Sequence, residues 1–272
     1  MNVHSGFADV NNTRLYYEVS GEGPSLVLIH GFTLDTRMWD DQFEAFSKHY
    51  RVVRYDLRGY GQSALPALGV GYSHADDLKA FLDHLGVTRA HVLGLSMGGS
   101  VAVNFSLEYP GRTMSLITVD TTLGGFPRSE EWSAFLGMLF SKARQSGVET
   151  SKELFLNSGL FQPALENPEV ASRLAEMVLS YSGWSLLNPP GPEISLEIPA
   201  AKQLDKIDVP TLVIVGERDL QDFRDIADAL ERGIPKATKV VIPGVGHMAN
   251  MEAPEKFNEV VLSFLSEINA CS

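Results

Sequence analysis

Gly94-Leu95-Ser96-Met97-Gly98 decides how this chain is read. Before it, Ala90-His91-Val92-Leu93-Gly94-Leu95 is a short apolar run of β character, and after it Gly99 to Tyr109 carries apolar residues at helical spacing until Pro110 stops it. The spacing places Ser96 at a strand-to-helix junction, on a turn tight enough to need the missing Cβ atoms of Gly94 and Gly98. A serine there is lifted clear of the strand. The unpaired N–H groups and partial positive charge of the following helix then face any oxyanion forming beside it. The same five residues also suit a glycine-rich turn with an inert serine, so the rest of the chain must decide between the two.

Working outward, strands and helices alternate. Phe7 to Ser20 alternates apolar and polar residues about Asn11-Asn12, a hairpin expected at the sheet edge. Ser25-Leu26-Val27-Leu28-Ile29 is a continuous apolar run of the kind buried on both faces of a parallel sheet, and His30-Gly31-Phe32-Thr33 follows at its end. Leu34 to Tyr50 has helical spacing, Arg51 to Asp56 is the next strand, and Asp56-Leu57-Arg58-Gly59-Tyr60-Gly61-Gln62-Ser63 is a glycine-punctuated loop. Its charged pair, Asp56 and Arg58, is expected to fix the loop's shape. Tyr72 to Leu85 reads as a helix stopped by Gly86.

After the strand Met114 to Asp120 the pattern changes. Residues 121–205 hold helical patterns at Glu130 to Gln145, Thr150 to Ser158 and Pro168 to Tyr181 and no buried strand, which reads as a helical cap inserted at one point. Asn188-Pro189-Pro190-Gly191-Pro192 is expected to be its stiff return. The alternation resumes with Pro210 to Gly216 (strand), Phe223 to Gly233 (helix), Thr238 to Ile242 (strand) and Pro254 to Ile268 (helix). The expected architecture is α/β: a mostly parallel eight-stranded sheet flanked by helices, with residues 1–120 and 206–272 as the core and 121–205 as the cap.

Composition narrows the partners. With 272 residues, 44% hydrophobic and 21% charged, the chain fits one large globular domain. A formal charge of −12 argues against nucleic acid and anionic membranes. Cys271 is the single cysteine, an incidental tail thiol, and neither a metal site nor a cofactor is expected. No run reaches the ~18 apolar residues of a membrane span, and Met1 to Val10 lacks the pattern of a signal peptide, so a cytoplasmic protein is expected. The oligomeric state is left open.

In a parallel sheet the loops Gly216-Glu217-Arg218-Asp219 and Pro243-Gly244-Val245-Gly246-His247 lie on the same edge as Ser96 and His30, so Asp219 and His247 converge on the serine. A serine hydroxyl is a weak nucleophile; an imidazole can take its proton and return it to the leaving group, and a carboxylate fixes that imidazole's tautomer. Asp120, which also ends a strand, and Asp222 are rival acids, with Asp219 preferred. Among the other histidines, His4 is terminal, His49, His74 and His84 are assigned to surfaces, His91 begins a strand, and His30 is expected to buttress its loop by hydrogen bonding.

At this point the chain resembles the α/β-hydrolase family, in its capped branch of small esterases, lactonases and carbon-carbon bond hydrolases. The resemblance rests on His30-Gly31, Asp56 to Ser63, Gly94 to Gly99, Gly216 to Asp219 and Gly246-His247, in order along nearly the whole sequence. It implies Ser96 as nucleophile, His247 as base, Asp219 as its orienter, and the backbone N–H groups of Phe32 and Met97 as oxyanion donors. Serine at 96 departs from the dehalogenase and epoxide-hydrolase branches, which use a carboxylate there. The expected activity is hydrolysis of a small apolar ester or lactone through an acyl-enzyme. A carbon-carbon bond hydrolase, or a ligand receptor with slow turnover on the same fold, are the alternatives. Trp132, Phe135 and Trp184 are the expected liners of a mostly apolar pocket under the cap.

Overall fold

The apolar runs form the middle of one sheet. In the computed structural model, which describes residues 2–188 and 193–270 without the side chains of the last two, eight strands stand in the order β1-β2-β4-β3-β5-β6-β7-β8. They are β1 (His4–Val10), β2 (Thr13–Ser20), β3 (Ser25–Ile29), β4 (Arg51–Tyr55), β5 (Ala90–Leu95), β6 (Thr113–Val119), β7 (Thr211–Gly216) and β8 (Ala237–Ile242). Only β2 runs against its neighbours, pairing antiparallel with β1 and β4, whereas β4, β3, β5, β6, β7 and β8 are parallel. Every residue of β3, β5 and β7 is buried, which is why those strands read as unbroken apolar runs; β1 and β8 at the edges are mostly exposed or half-buried. Edge strand β8 carries Lys239, paired with Asp228 and Glu231, a charge that discourages pairing with another chain.

Helices cover both faces: α1 (Asp40–Phe46), α2 (His74–His84), α3 (Met97–Glu108), α9 (Gln221–Gly233), α10 (Ala249–Glu252) and α11 (Pro254–Ala270). The burial pattern follows helical period. In α9, Phe223, Ile226, Ala227 and Leu230 are buried, and in α2, capped by Ser73 accepting the Asp76 N–H, Leu78, Phe81 and Leu82 are buried. Between β6 and β7 run five further helices, α4 (Glu130–Ser146), α5 (Val148–Leu156), α6 (Gln162–Leu165), α7 (Pro168–Ser180) and α8 (Trp184–Leu187). The short α6 and α8 were not visible as periodic patterns because one turn is too short to show a period. Residues 189–192 of the proline-rich return and Cys271 lie outside the described residues.

Polar contacts fasten these inserted helices to the sheet. Arg173 Nη1 reaches Asp41 at 2.9 Å, Arg37 Nη1 reaches Glu176 at 2.7 Å, and Arg218 Nη2 reaches Glu166 at 2.5 Å. Individually such solvent-screened pairs contribute little, and each ties the insertion to the core at one point. Among the described residues, no helix is long and apolar enough to cross a membrane, and no cluster of three or more His, Cys, Asp or Glu side chains is arranged to hold a metal ion.

Two expectations are corrected. Asp56 and Arg58 do not pair with each other: Arg58 is bound to buried Asp77 at 2.6 Å, while the Asp56 carboxylate accepts the N–H groups of Thr36 and Gln62, both at 2.8 Å. Backbone donors from two segments, Thr36 N–H and Gln62 N–H, need an acceptor and take the Asp56 carboxylate. His74 is not on the surface but 3% exposed, and it packs edge-on to Tyr72 with ring centroids 5.1 Å apart.

The close approach of β5, α3 and β3 predicts which glycines the fold depends on. A methyl group on Gly94 would overlap the Gly98 carbonyl, and one on Gly98 would overlap the Ile29 carbonyl, whereas Gly137 in α4 has open space around it. Gly94→Ala and Gly98→Ala should each lower stability in urea unfolding by about 1–3 kcal/mol or more, because backbone cannot yield as a side chain does. Gly137→Ala should raise it by about 0.5–1 kcal/mol through helix propensity. Equal midpoints for all three variants would show that the turn is looser than described.

Candidate active site

Ser96 follows β5 and caps α3, with φ 55° and ψ −116°. An L residue adopts such a backbone only at a cost of about 1–3 kcal/mol, and the surroundings must hold it there. Here the holding groups are visible. The Ser96 N–H donates to Val119 O at 2.9 Å, and its carbonyl accepts from Ser100 N (3.2 Å), Thr122 N (3.2 Å) and Thr121 Oγ1 (3.1 Å). The side chain is 9% exposed at the sheet edge.

The loops after β7 and β8 meet each other at the same end of the sheet. Asp219 Oδ2 accepts from His247 Nδ1 at 2.9 Å, and Asp219 Oδ1 accepts the Leu220 N–H at 2.7 Å. Their approach depends on bare backbone, since a Cβ on Gly216 would overlap Gly246 O. Both side chains are buried, His247 to 2% and Asp219 to 4% exposure. Of the rival acids, Asp222 instead accepts from Ser129 N and Oγ at 2.7 Å, which ties α9 to the start of α4. Asp120 points into the same buried cluster, its Oδ1 accepting Gly216 N at 2.8 Å. The Ser96 hydroxyl is not hydrogen-bonded to His247 in this structure, a contact that commonly tightens only when substrate is bound.

Burial sets the charge state of the imidazole. Desolvation holds the His247 pKa down at about 4, against the opposing influence of the neighbouring Asp120 and Glu252 carboxyl groups, so the ring is neutral near pH 7 and able to accept a proton. Glu252 was not singled out in the sequence. Its two oxygens accept the N–H groups of Gly246 (2.8 Å) and Met248 (3.0 Å), the residues flanking His247, and so fix the loop that carries the ring. An acidic residue five positions after the histidine, in the helical turn of α10, was the available signal.

The loop after β3 lies against Ser96, for a Cβ on Gly31 would stand 3.5 Å from Ser96 Cβ. Neither Phe32 N–H nor Met97 N–H, the first of α3, finds a backbone acceptor among the described residues. His30, fully buried, accepts the Leu57 N–H through Nε2 at 2.9 Å and therefore donates Nδ1–H to Gly31 O at 2.8 Å. It joins the two loops beside the serine, as expected of a buttress. Thr33, at φ 63°, turns the chain after Phe32.

Aromatic rings close over the imidazole. Phe223 stands 4.4 Å from the His247 ring centroid and Phe161 6.3 Å, and Phe161 continues through Phe155 to Phe135 and Phe32. Trp132 stacks on Phe135 at 5.4 Å and meets Phe223 edge-on at 5.8 Å. Trp184, which opens α8, makes no ring contact with this group among the described residues. Beside the aromatic group lies a cavity of about 690 Å³ lined by Met97, Trp132 and Phe223; of the three expected liners only Trp132 reaches it, Phe135 and Trp184 being absent from its wall. Its wall is not mostly apolar as expected: Ser100, Asn104, Thr122, Arg128 and Glu193 share it with the hydrophobic residues. Helical spacing identified the apolar side chains but says nothing about which polar ones turn inward.

The fold and this sheet-edge constellation define a member of a large enzyme superfamily. A sequence model of the alpha/beta hydrolase fold matches residues 24–254, and the chain belongs to that family. It is similar to the enol-lactonase of Burkholderia xenovorans LB400, with 28% identity, a TM-score of 0.83 and coverage of 96% of this chain and 100% of that one. A thermophilic esterase from Thermogutta terrifontis is similar at 29% identity and TM-score 0.81, covering 97% and 99%. The 2-hydroxy-6-oxononadienedioate/2-hydroxy-6-oxononatrienedioate hydrolase of Comamonas testosteroni is 28% identical over 94% of this chain and 93% of its own. Esterases, lactonases and carbon-carbon bond hydrolases thus all stand among the relatives.

If desolvation by Phe223 holds the imidazole neutral, Phe223→Ala admits water and the His247 pKa rises from about 4 toward the ordinary 6.5. Titration of the histidine ring protons by NMR should show that movement, while buried His30, also held at about 4, stays in place. An unmoved His247 would assign the depression to groups other than this ring.

Proposed function

We propose that this protein is a serine hydrolase that cleaves a small carboxylic ester or lactone through an acyl-enzyme. The observation that carries the reading is the buried His247–Asp219 hydrogen bond, 2.9 Å long, at the same sheet edge as the strained Ser96. In this reading Ser96 Oγ attacks the acyl carbon while His247 Nε2 takes its proton, and Asp219 stabilises the imidazolium through Nδ1–H. The Phe32 and Met97 N–H groups donate to the developing oxyanion, where preorganised donors are worth about 3–4 kcal/mol each. His247 then returns the proton to the leaving oxygen, and a water activated by the same ring releases the acid. A neutral imidazole at rest suits the first step, since it must be empty of its proton to act as base.

The segment 121–205 serves as the cap in this reading, with Trp132 as the substrate-facing ring and Phe135 stacked behind it. Trp184, expected in the same role, has no comparable support. The cavity beside them fits a substrate whose acyl or alkyl part is apolar and whose remainder finds the polar wall. Carbon-carbon bond hydrolysis is the second reading, favoured by the similarity to the Comamonas testosteroni hydrolase. A panel of acyl esters, lactones and vinylogous diketones separates the two by which compounds are turned over.

Ser96→Ala and His247→Ala should each reduce ester turnover by about 10³-fold or more without unfolding the chain, and Asp219→Asn by as much as ~10⁴. A fluorophosphonate should label Ser96. A folded Ser96→Ala variant with near-parent turnover, or a label on another serine, ends the assignment. In the parent, kcat/KM should stay level on acidification until it falls through about pH 4, the pKa of the free base, rather than near 6.5.

For specificity, each buried methylene contributes roughly 0.8 kcal/mol, a few-fold preference per carbon until the pocket is full. Trp132→Ala and Phe135→Ala should therefore shift the chain length at which kcat/KM peaks, while Trp184→Ala leaves the profile in place. Uniform scaling of all rates in the first two variants would remove these rings from the substrate wall.

A further inference from the structure

Asp120 is a buried carboxyl that the proposed chemistry does not use, and its surroundings are unusual. It stands at the end of β6, one strand from the β7 loop that carries Asp219, with its backbone at φ 43° and its N–H donating to Ile214 O at 3.0 Å. Oδ1 is satisfied by Gly216 N at 2.8 Å, but Oδ2 is buried and meets no N–H or hydroxyl donor. What it does meet is the carboxyl of Asp219, within hydrogen-bonding reach. Two carboxylates in contact, 1% and 4% exposed, cannot both be ionised without a large desolvation and repulsion cost.

The distribution of donors says which one keeps the charge. Asp219 already accepts from Leu220 N and from His247 Nδ1, both of which favour its anion. Asp120 has one backbone donor and an oxygen left over. A single proton on that oxygen satisfies both side chains at once. We propose that Asp120 is a positioning residue that holds the Asp219 carboxylate against His247 by donating its own carboxyl O–H to it. The proposal rests on the reading of Asp219 as the partner of the catalytic base. Burial pushes both carboxyls well above the ordinary carboxylate range, and the hydrogen bond between them raises Asp120 while it lowers Asp219, in keeping with the proton on Asp120.

The charged and titratable groups facing the cluster are few. Asp219 and His247 face Asp120, Glu252 and Arg224 also face Asp219, and Glu252 faces His247. The position also holds the nucleophile indirectly, because the next two residues, Thr121 and Thr122, bond the Ser96 carbonyl. Variants must therefore respect the positive φ. Asparagine and glycine both do, whereas alanine does not. Asparagine further reproduces both contacts, with Oδ1 for Gly216 N and an Nδ2–H for Asp219, and it is neutral at every pH.

The test compares parent, Asp120→Asn and Asp120→Gly. With an activated acyl ester as substrate, Asp120→Gly should lower kcat about tenfold or more with KM little changed, and Asp120→Asn should recover most of that loss with the parent's pH profile. Independently of turnover, infrared spectra at pH 7 should contain the carbonyl stretch of a protonated carboxyl that disappears in Asp120→Asn. The His247 Nδ1–H proton resonance should persist in Asp120→Asn and weaken in Asp120→Gly. If Asp120 is ionised instead, Asp120→Asn removes a negative charge facing His247, moves the acidic limb to lower pH and leaves the infrared spectrum unchanged, which overturns the proposal. A parent-like Asp120→Gly in both readouts overturns it as well. Should the parent turn over no acyl compound, the hydrolase reading fails, and the two spectroscopic readouts still decide the proton's place.

Discussion

The strained backbone of Ser96 is the constraint on which the remaining arrangement depends. A positive φ at a residue with a side chain relaxes unless its neighbours prevent it, and here the neighbours are backbone. Gly94, Gly98 and Ile29 touch where any Cβ would collide, and the residues after β6 bond the Ser96 carbonyl. The same tie repeats across the sheet edge. Asp120 takes Gly216 N, and Gly216 lies against Gly246. Four loops from four adjacent parallel strands are thus joined in series by short contacts, with the buried Asp120 carboxyl as the side-chain link between the loops after β6 and β7.

Low dielectric gives this cluster its electrostatic character. His30, His74, His91 and His247 are all buried and all held at about 4 by desolvation, so being buried neutral is the ordinary state of a histidine in this core rather than a mark of function. What distinguishes His247 is its company. His91 bonds a serine hydroxyl at 2.8 Å and His30 bonds backbone, whereas His247 is hydrogen-bonded directly to a carboxyl group, that of Asp219, which lowers the cost of becoming an imidazolium. An imidazole that is neutral at rest and stabilised once charged is suited to holding a proton briefly.

The inserted helices depend on different forces. Their rings bury against Phe223 and Phe32 from the sheet side, and salt bridges at Arg37, Arg173 and Arg218 set the outline around that contact. Arg218 adjoins Asp219 in sequence, so one turn of chain carries both a fastening of the inserted helices and the acid of the cluster. Polar and apolar residues share the cavity that results, because it forms where two independently packed layers meet and neither layer's own core pattern dictates its lining.

The strands and their mostly parallel sense were legible because β3, β5 and β7 are buried on both faces and must be apolar throughout, and because glycine and proline punctuate them; their order in the sheet was not. The serine turn, the loops that carry Asp219 and His247, and the helices long enough to show a period were legible for the same local reasons. Asp219 was separable from Asp222 by position alone, since only the first stands at a strand end. Tertiary structure decided what sequence cannot encode locally. It gave Arg58 to Asp77 rather than Asp56, buried His74, turned Phe223 onto His247 and left Trp184 aside. Each of these is a contact between segments distant in sequence, chosen by whichever partner best satisfies a buried charge, donor or surface once the chain is folded, and no spacing along the chain records that choice.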